Sequence, residues 1–150
     1  MNKERLYIFD TTLRDGAQTQ GVHFSIDEKT KIAHALDNLG VDYIEGGWPG
    51  ANPSDTEFFQ KGLNLKSSKF TAFGMTKKSG RSAENDPGLS AIMNSNTKSV
   101  CLVGKTWDFH VDVALGISNE ENLENISESA KLFLKEKKEF MFDAEHFFDG

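Results

Sequence analysis

Charge arrives abruptly in this chain. The apolar run Leu6-Tyr7-Ile8-Phe9 leads straight into Asp10-Thr11-Thr12-Leu13-Arg14-Asp15-Gly16-Ala17-Gln18. Asp and Arg are disfavoured in a core unless paired, so their place just past a strand end marks the mouth of a site. An aspartate on a rigid strand end offers anionic oxygen to a hard divalent cation without reorganisation; loop capping is the plainer role for Asp15. Arg14 forms either a local ion pair with Asp15 or a fixed cation that steadies charge developing on a carbonyl oxygen. Gln18 either lines the site or closes a loop hydrogen bond. Glu45, Lys105, Glu145 and His146 fall where other predicted strands end. Glu45 and Glu145 are rim carboxylates or site carboxylates, and Glu145 is the better suited to proton transfer or orientation. His110 is a satisfied loop histidine or a polar contact in the pocket. Glu145 beside His146 suggests an acid–base pair, but neighbours on a strand face opposite ways, which argues against it.

These residues must be positioned by strands and helices, and the pattern supplies them in alternation. Strands are expected at 6–9, 41–45, 69–73, 99–103 and 140–142, the first as a buried strand. Between them, Ser25-Ile26-Asp27-Glu28 has the form of a capping box. Ile32, Ala35, Leu36 and Leu39 follow at helical spacing, and Gly40 supplies the stop. Asn52-Pro53 opens a second helix with an apolar side of Phe58, Phe59 and Leu63. Asp86-Pro87 opens a third, short one. Residues 119–136 form a long amphipathic helix with Leu123, Ile126, Ala130, Leu132 and Phe133 on its apolar side. The first helix carries His34 as a surface residue.

Strands alternating with helices imply parallel pairing and right-handed crossovers. A five-stranded doubly wound sheet and the N-terminal part of a (β/α)8 barrel both fit this order. No GxGxxG or Walker loop supports a nucleotide fold. The unit length is about 33 residues, and eight such units would need about 265, close to a whole barrel. The polar residues cluster at strand C-terminal ends, where a barrel builds its site. The expected class is therefore α/β, with residues 1–150 forming one domain. That domain is an N-terminal barrel portion of about five strands and four helices, without the later barrel units or a regulatory domain.

Composition narrows the partners. Asp and Glu total 23 against 17 Lys and Arg, a net charge of −6, so no basic face points to nucleic acid. No run of about 18 apolar residues suggests a membrane span, and Met1-Asn2-Lys3-Glu4-Arg5 has no secretory apolar region. The one cysteine, Cys101, lies in the apolar run Val100-Cys101-Leu102-Val103. It reads as a buried structural thiol, and the cytoplasm is the expected compartment.

The stretch from Asp10 to Gln18 resembles the signature of the metal-dependent aldol acyltransferases and lyases, a family that includes isopropylmalate, homocitrate and citramalate synthases and hydroxymethylglutaryl-CoA lyase. The stretches 42–50, 104–111 and 142–150 resemble its citramalate synthase branch. The resemblance implies a barrel that condenses acetyl-CoA with pyruvate to give citramalate and CoA. It implies a divalent metal (Mn2+, Mg2+ or Zn2+) on Asp15, a catalytic role for Arg14 and Glu145, and substrate contacts from Arg14, Gln18, Glu45 and His110. A homo-oligomer, a dimer, is expected. The family's metal shell also uses a His-x-His pair. His23, His34, His110 and His146 contain no such pair, so this chain alone is expected to be inactive. Isopropylmalate or homocitrate synthesis is the alternative activity, and a non-catalytic binding or assembly module is the alternative class.

Overall fold

The computed structural model describes residues 4–150. Met1, Asn2 and Lys3 lie outside the described residues. Five strands alternate with helices in the expected order: β1 Phe9–Asp10, β2 Tyr43–Gly47, β3 Lys69–Met75, β4 Ser99–Lys105 and β5 Glu139–Glu145. The helices are α1 Ile26–Leu39, α2 Pro53–Lys61, α3 Pro87–Met93, the single turn α4 Asp108–His110 and α5 Asn119–Lys135. All four pairings are parallel, and the sheet order is β1-β2-β3-β4-β5. That order decides between the two architectures. A doubly wound sheet reverses its strand order at a switch point, whereas successive neighbours winding one way make a barrel wall.

The helix starts follow the sequence closely. Ser25 caps α1 in a full capping box with Glu28, and Gly40 closes it in the left-handed conformation at φ 89°. Asn52 caps α2 ahead of Pro53, and Asp86 caps α3 ahead of Pro87. Each such cap satisfies backbone N–H groups that a helix leaves without partners.

One face of the sheet packs against the helices. Ile44 of β2 lies with Ala33 of α1 and Phe58 of α2 in one buried cluster. Ala72 of β3 and Val100 and Leu102 of β4 lie with Phe59, Leu89, Ile92 and Phe133 in the other. Gly46 and Gly74 are needed on this face. A Cβ on Gly46 would stand 2.2 Å from the Phe70 ring, and one on Gly74 would stand 2.1 Å from Ile92 Cδ1. The alternate residues form the concave face. There Tyr43 of β2 donates to Glu139 Oε1 of β5 at 2.8 Å, and Lys69 of β3 donates to Glu139 Oε2 at 2.8 Å. A side chain of the second strand can reach the fifth only because the sheet curls.

Three sequence expectations are corrected. Leu6, Tyr7 and Ile8 are exposed, Leu6 by 80%, and only Phe9–Asp10 are strand. Among the described residues β1 has a neighbour on one side only, so these side chains stay exposed; Tyr7 meets only the Arg5 guanidinium, 4.8 Å from its ring centroid, and the Tyr43 ring at 6.4 Å. In α1 the fully buried residues are Lys29, Ala33 and Asp37; Ile32 and Leu36 pack against the core as expected, while Ala35 and Leu39 face out. In α5 they are Asn122, Asn125, Ser129 and Phe133, and Leu123 is exposed. Both inner faces carry polar side chains because these bind loop backbone and side chains. Asn122 Nδ2 donates to the Lys105 carbonyl at 2.9 Å, and Ser129 Oγ accepts from the Lys77 N–H at 2.9 Å.

Exposed apolar side chains collect at both sheet edges, Leu6, Tyr7 and Ile8 at one and Phe147 and Phe148 at the other. Open edges with apolar faces invite association. The 16.7 kDa chain is expected to self-associate at micromolar concentration. Light scattering that returns the monomer mass across that range would contradict this.

Candidate active site at the C-terminal ends of the strands

The turn after β1 is built to present Arg14. Thr11 accepts from the backbone N–H groups of Arg14, Asp15 and Gly16 at 2.9–3.1 Å, and Leu13 is fully buried beneath them. Arg14 then projects over the concave face. Its Nε donates to Glu45 Oε2 at 2.7 Å, and its Nη1 donates to Asp15 Oδ1 at 3.1 Å. The guanidinium lies 3.9 Å over the Phe73 ring of β3. Two carboxylates and an aromatic face therefore fix its plane, and its Nη2 makes no hydrogen bond among the described residues. A fixed, partly buried cation with a free donor is suited to a carboxylate or a developing oxyanion.

Glu45, open as a rim or a site carboxylate, does not end its strand as expected. It lies within β2, only 1% exposed, and it is no rim carboxylate. Burial raises its pKa above the ordinary value, and this outweighs the lowering by Arg14; Asp143 of β5 and Asp15 push the same way as burial. Cys101, buried on the same face, has its thiol pushed up to about 12, first by burial and then by the neighbouring Glu45. It is the inert structural thiol expected.

Asp15 is exposed, and its Oδ2 accepts no hydrogen bond among the described residues. Among the same residues no three His, Cys, Asp or Glu side chains converge to hold a metal. This donor set offers a divalent cation one carboxylate and does not make a metal centre by itself. Gln18 borders, with Arg14, a cavity of about 340 Å3 between the turns that follow β1 and β2.

The other candidates form a second group. Glu145 ends β5, as expected, and Lys105 at the end of β4 clamps it at 2.5 Å. His110, in α4, stands with its ring centroid 4.7 Å from Trp107 and 4.4 Å from His146. Its Nδ1 is buried without a hydrogen-bond partner among the described residues. His146 adopts a left-handed backbone at φ 59° and turns to His110 and Asp149, not to Glu145; its Nδ1 lies 3.2 Å from Asp149 Oδ2. No hydrogen bond among the described residues joins this group to Arg14.

Sequence reasoning passed over three participants. Phe73 reads as core, yet its ring seats Arg14. Lys29 and Asp55 form a buried ion pair at 2.6 Å, and Asp55 also accepts from the Trp48 N–H at 2.9 Å. The available signal was a lysine at an inward position of an otherwise amphipathic helix, which needs a buried partner.

Five parallel strands in sequential order, helices on one face and charge at the strand C-terminal ends define the N-terminal part of a (β/α)8 barrel. The chain belongs to the HMGL-like family, whose model matches residues 5–149. It is 48% identical over 149 residues to the (R)-citramalate synthase of Aquifex aeolicus, covering 98% of this chain and 28% of that protein. It is 46% identical over 145 residues to that of Geobacter sulfurreducens, covering 95% and 28%. Similarity to 2-isopropylmalate synthase 1 of Caldanaerobacter subterraneus is lower, 34% over 146 residues, covering 97% and 36%. The chain thus spans a little over a quarter of the length of the (R)-citramalate synthases it matches. In fold it resembles the hydroxymethylglutaryl-CoA lyase of Pseudomonas aeruginosa, with a TM-score of 0.71 at 17% identity over 92% of this chain and 45% of that one. No helix among the described residues is long and apolar enough to cross a membrane.

Proposed function

We propose that these residues form the oxo-acid part of an acyltransferase site that condenses acetyl-CoA with pyruvate to give (R)-citramalate and CoA. Arg14 carries the proposal. It is locked by Glu45, Asp15 and Phe73, yet it keeps Nη2 for a ligand. In this role it orients the oxo acid and steadies the oxygen on which charge develops. Asp15 contributes one ligand to a divalent cation whose other donors come from outside the described residues. That cation, when bound, supplies Lewis-acid polarisation of the carbonyl. Gln18 lines the cavity on the substrate side, Glu45 serves the substrate through its hold on Arg14, and His110 adds a polar contact at the second group. Glu145, clamped by Lys105, orients the acetyl group. Acetyl-CoA has room in a cavity of about 740 Å3 whose lining includes Lys78 and Arg81. The higher identity to (R)-citramalate synthases than to 2-isopropylmalate synthase favours pyruvate. A homodimer in the cytoplasm completes the reading, in keeping with one buried cysteine.

Titration of the folded 150-residue chain tests this. Pyruvate is expected to bind in the millimolar range or better, and Arg14→Lys, which keeps a cation beside Glu45 but loses the fork, is expected to weaken it at least about tenfold. A folded wild-type chain that binds no pyruvate would overturn the proposal.

A further inference from the structure

Trp48 separates the two cavities at the strand ends. It lines both the polar cavity of about 340 Å3 that holds Arg14 and Gln18 and the larger one of about 740 Å3. Two contacts hold it in place, and two more brace the first of them. Its backbone N–H donates to Asp55 Oδ2 at 2.9 Å. Asp55 is tied in turn to the buried Lys29 ammonium at 2.6 Å, and that ammonium also donates to the Gly46 carbonyl at 3.0 Å. Gly47 lets the carboxylate approach: at φ 145° it carries no side chain, and a Cβ there would meet Asp55 Oδ2 at 2.7 Å. The indole stands edge-on to Phe73, with centroids 5.6 Å apart at 87°, and the Phe73 ring carries the Arg14 guanidinium.

One ring of Phe73 thus fixes the cation and the indole relative to each other. Whatever carboxylate Arg14 holds has its remaining length measured against Trp48. We infer that Trp48 is the specificity-determining wall that limits the side chain of the 2-oxo acid, and that Lys29 and Asp55 are positioning residues acting through it. This rests on the oxo-acid reading of the Arg14 site. A rigid aromatic wall excludes an added methylene by overlap, and one methylene in such a pocket changes discrimination by about 10- to 200-fold. Without the wall the two cavities join, and the longer acid gains space rather than clashing.

The test compares pyruvate, 2-oxobutanoate and 2-oxopentanoate binding to the full 150-residue chain by titration calorimetry. Wild type is expected to prefer pyruvate over 2-oxobutanoate by at least about tenfold. Trp48→Ala is expected to remove or reverse that preference, with pyruvate affinity changed less than the ratio. Trp48→Leu and Trp48→Phe keep bulk and are expected to give graded ratios, Phe nearest wild type; they decide the matter should the Ala variant fail to fold. Asp55→Asn, which keeps the shape but weakens the hold on Lys29, is expected to relax the ratio in the same direction, an effect that general destabilisation of a folded chain does not produce. A wild-type preference that persists unchanged in every Trp48 variant overturns this inference alone. A wild-type chain that binds none of the three acids overturns the oxo-acid reading and this inference together.

Discussion

Arg14→Ala is expected to destabilise the chain by about 3–5 kcal/mol at pH 7, because it leaves Glu45 buried with no cation. Glu45 is almost wholly inaccessible, and the Arg14 side chain is 16% exposed, so solvent screens the pair little. The sign of the pH dependence follows from Glu45. Its folded pKa already lies above the ordinary value because burial outweighs Arg14. A carboxyl raised on folding contributes stability below its unfolded pKa and loses it as pH rises through the folded one. Removing Arg14 raises that pKa further. The cost of Arg14→Ala is therefore smallest near pH 4, where Glu45 is protonated in either protein, and grows toward neutrality. Urea melts of both proteins between pH 4 and 8 measure it. The double variant Arg14→Met, Glu45→Gln removes both charges and is expected to recover most of the loss. A cost that does not change with pH would show that Glu45 is not the partner that matters.

Asp37→Ala is expected to cost about 3 kcal/mol through loss of a buried carboxylate that organises a loop. Asp37 sits near the end of α1 and is 4% exposed. Its Oδ2 accepts from the Lys66 N–H at 2.7 Å, and its Oδ1 accepts from the N–H groups of Ser67 and Ser68 at 3.0 and 2.8 Å. These residues lead into β3, so the bonds set where that strand begins. The Lys66 N–H first, then that of Ser68, hold the carboxyl far below the usual range; burial opposes them, and the Ser67 N–H adds a smaller lowering. A pKa depressed on folding gives stability that is complete above the unfolded value and is lost as pH falls toward the folded one. The wild-type advantage over Asp37→Ala should thus be full at pH 7 and shrink below about pH 4. At about 2–4 °C per kcal/mol for a domain of this size, the melting temperature at pH 7 should fall by about 6–12 °C. A fall under 2 °C would mean that the loop finds other acceptors.

What was legible in the sequence was what depends on near neighbours along the chain. The capping box at Ser25, the Asn52-Pro53 and Asp86-Pro87 starts and the Gly40 stop are local backbone chemistry, and they appear where the residues stand. The alternation of strands and helices and the placing of charge at strand ends, Arg14 and Asp15 past β1 and Glu145 closing β5, were equally plain. So was the family signature, since it is a contiguous run. The order of elements along the chain fits a doubly wound sheet and a barrel wall alike; the charge at the strand ends already favoured the barrel, and the strand order bears this out.

Only the tertiary structure decided which charges meet. Glu45 could be read as a rim or as a site carboxylate because strand length alone does not show where β2 stops; the strand runs on to Gly47, and this buries Glu45 beside Arg14. The inner face of α1 could not be read from apolar residues alone, because Lys29 and Asp37 are buried by partners 26 and about 30 residues away. His110 and His146 are 36 positions apart by number, yet their rings are 4.4 Å apart. The sequence by itself determined the elements, their order and the charged turn after β1, since backbone propensity and capping act over a few residues. The fold decided that Arg14 is held by Glu45 and Phe73 and that Trp48 stands between two cavities, since the curl of a parallel sheet brings together side chains that the chain keeps far apart.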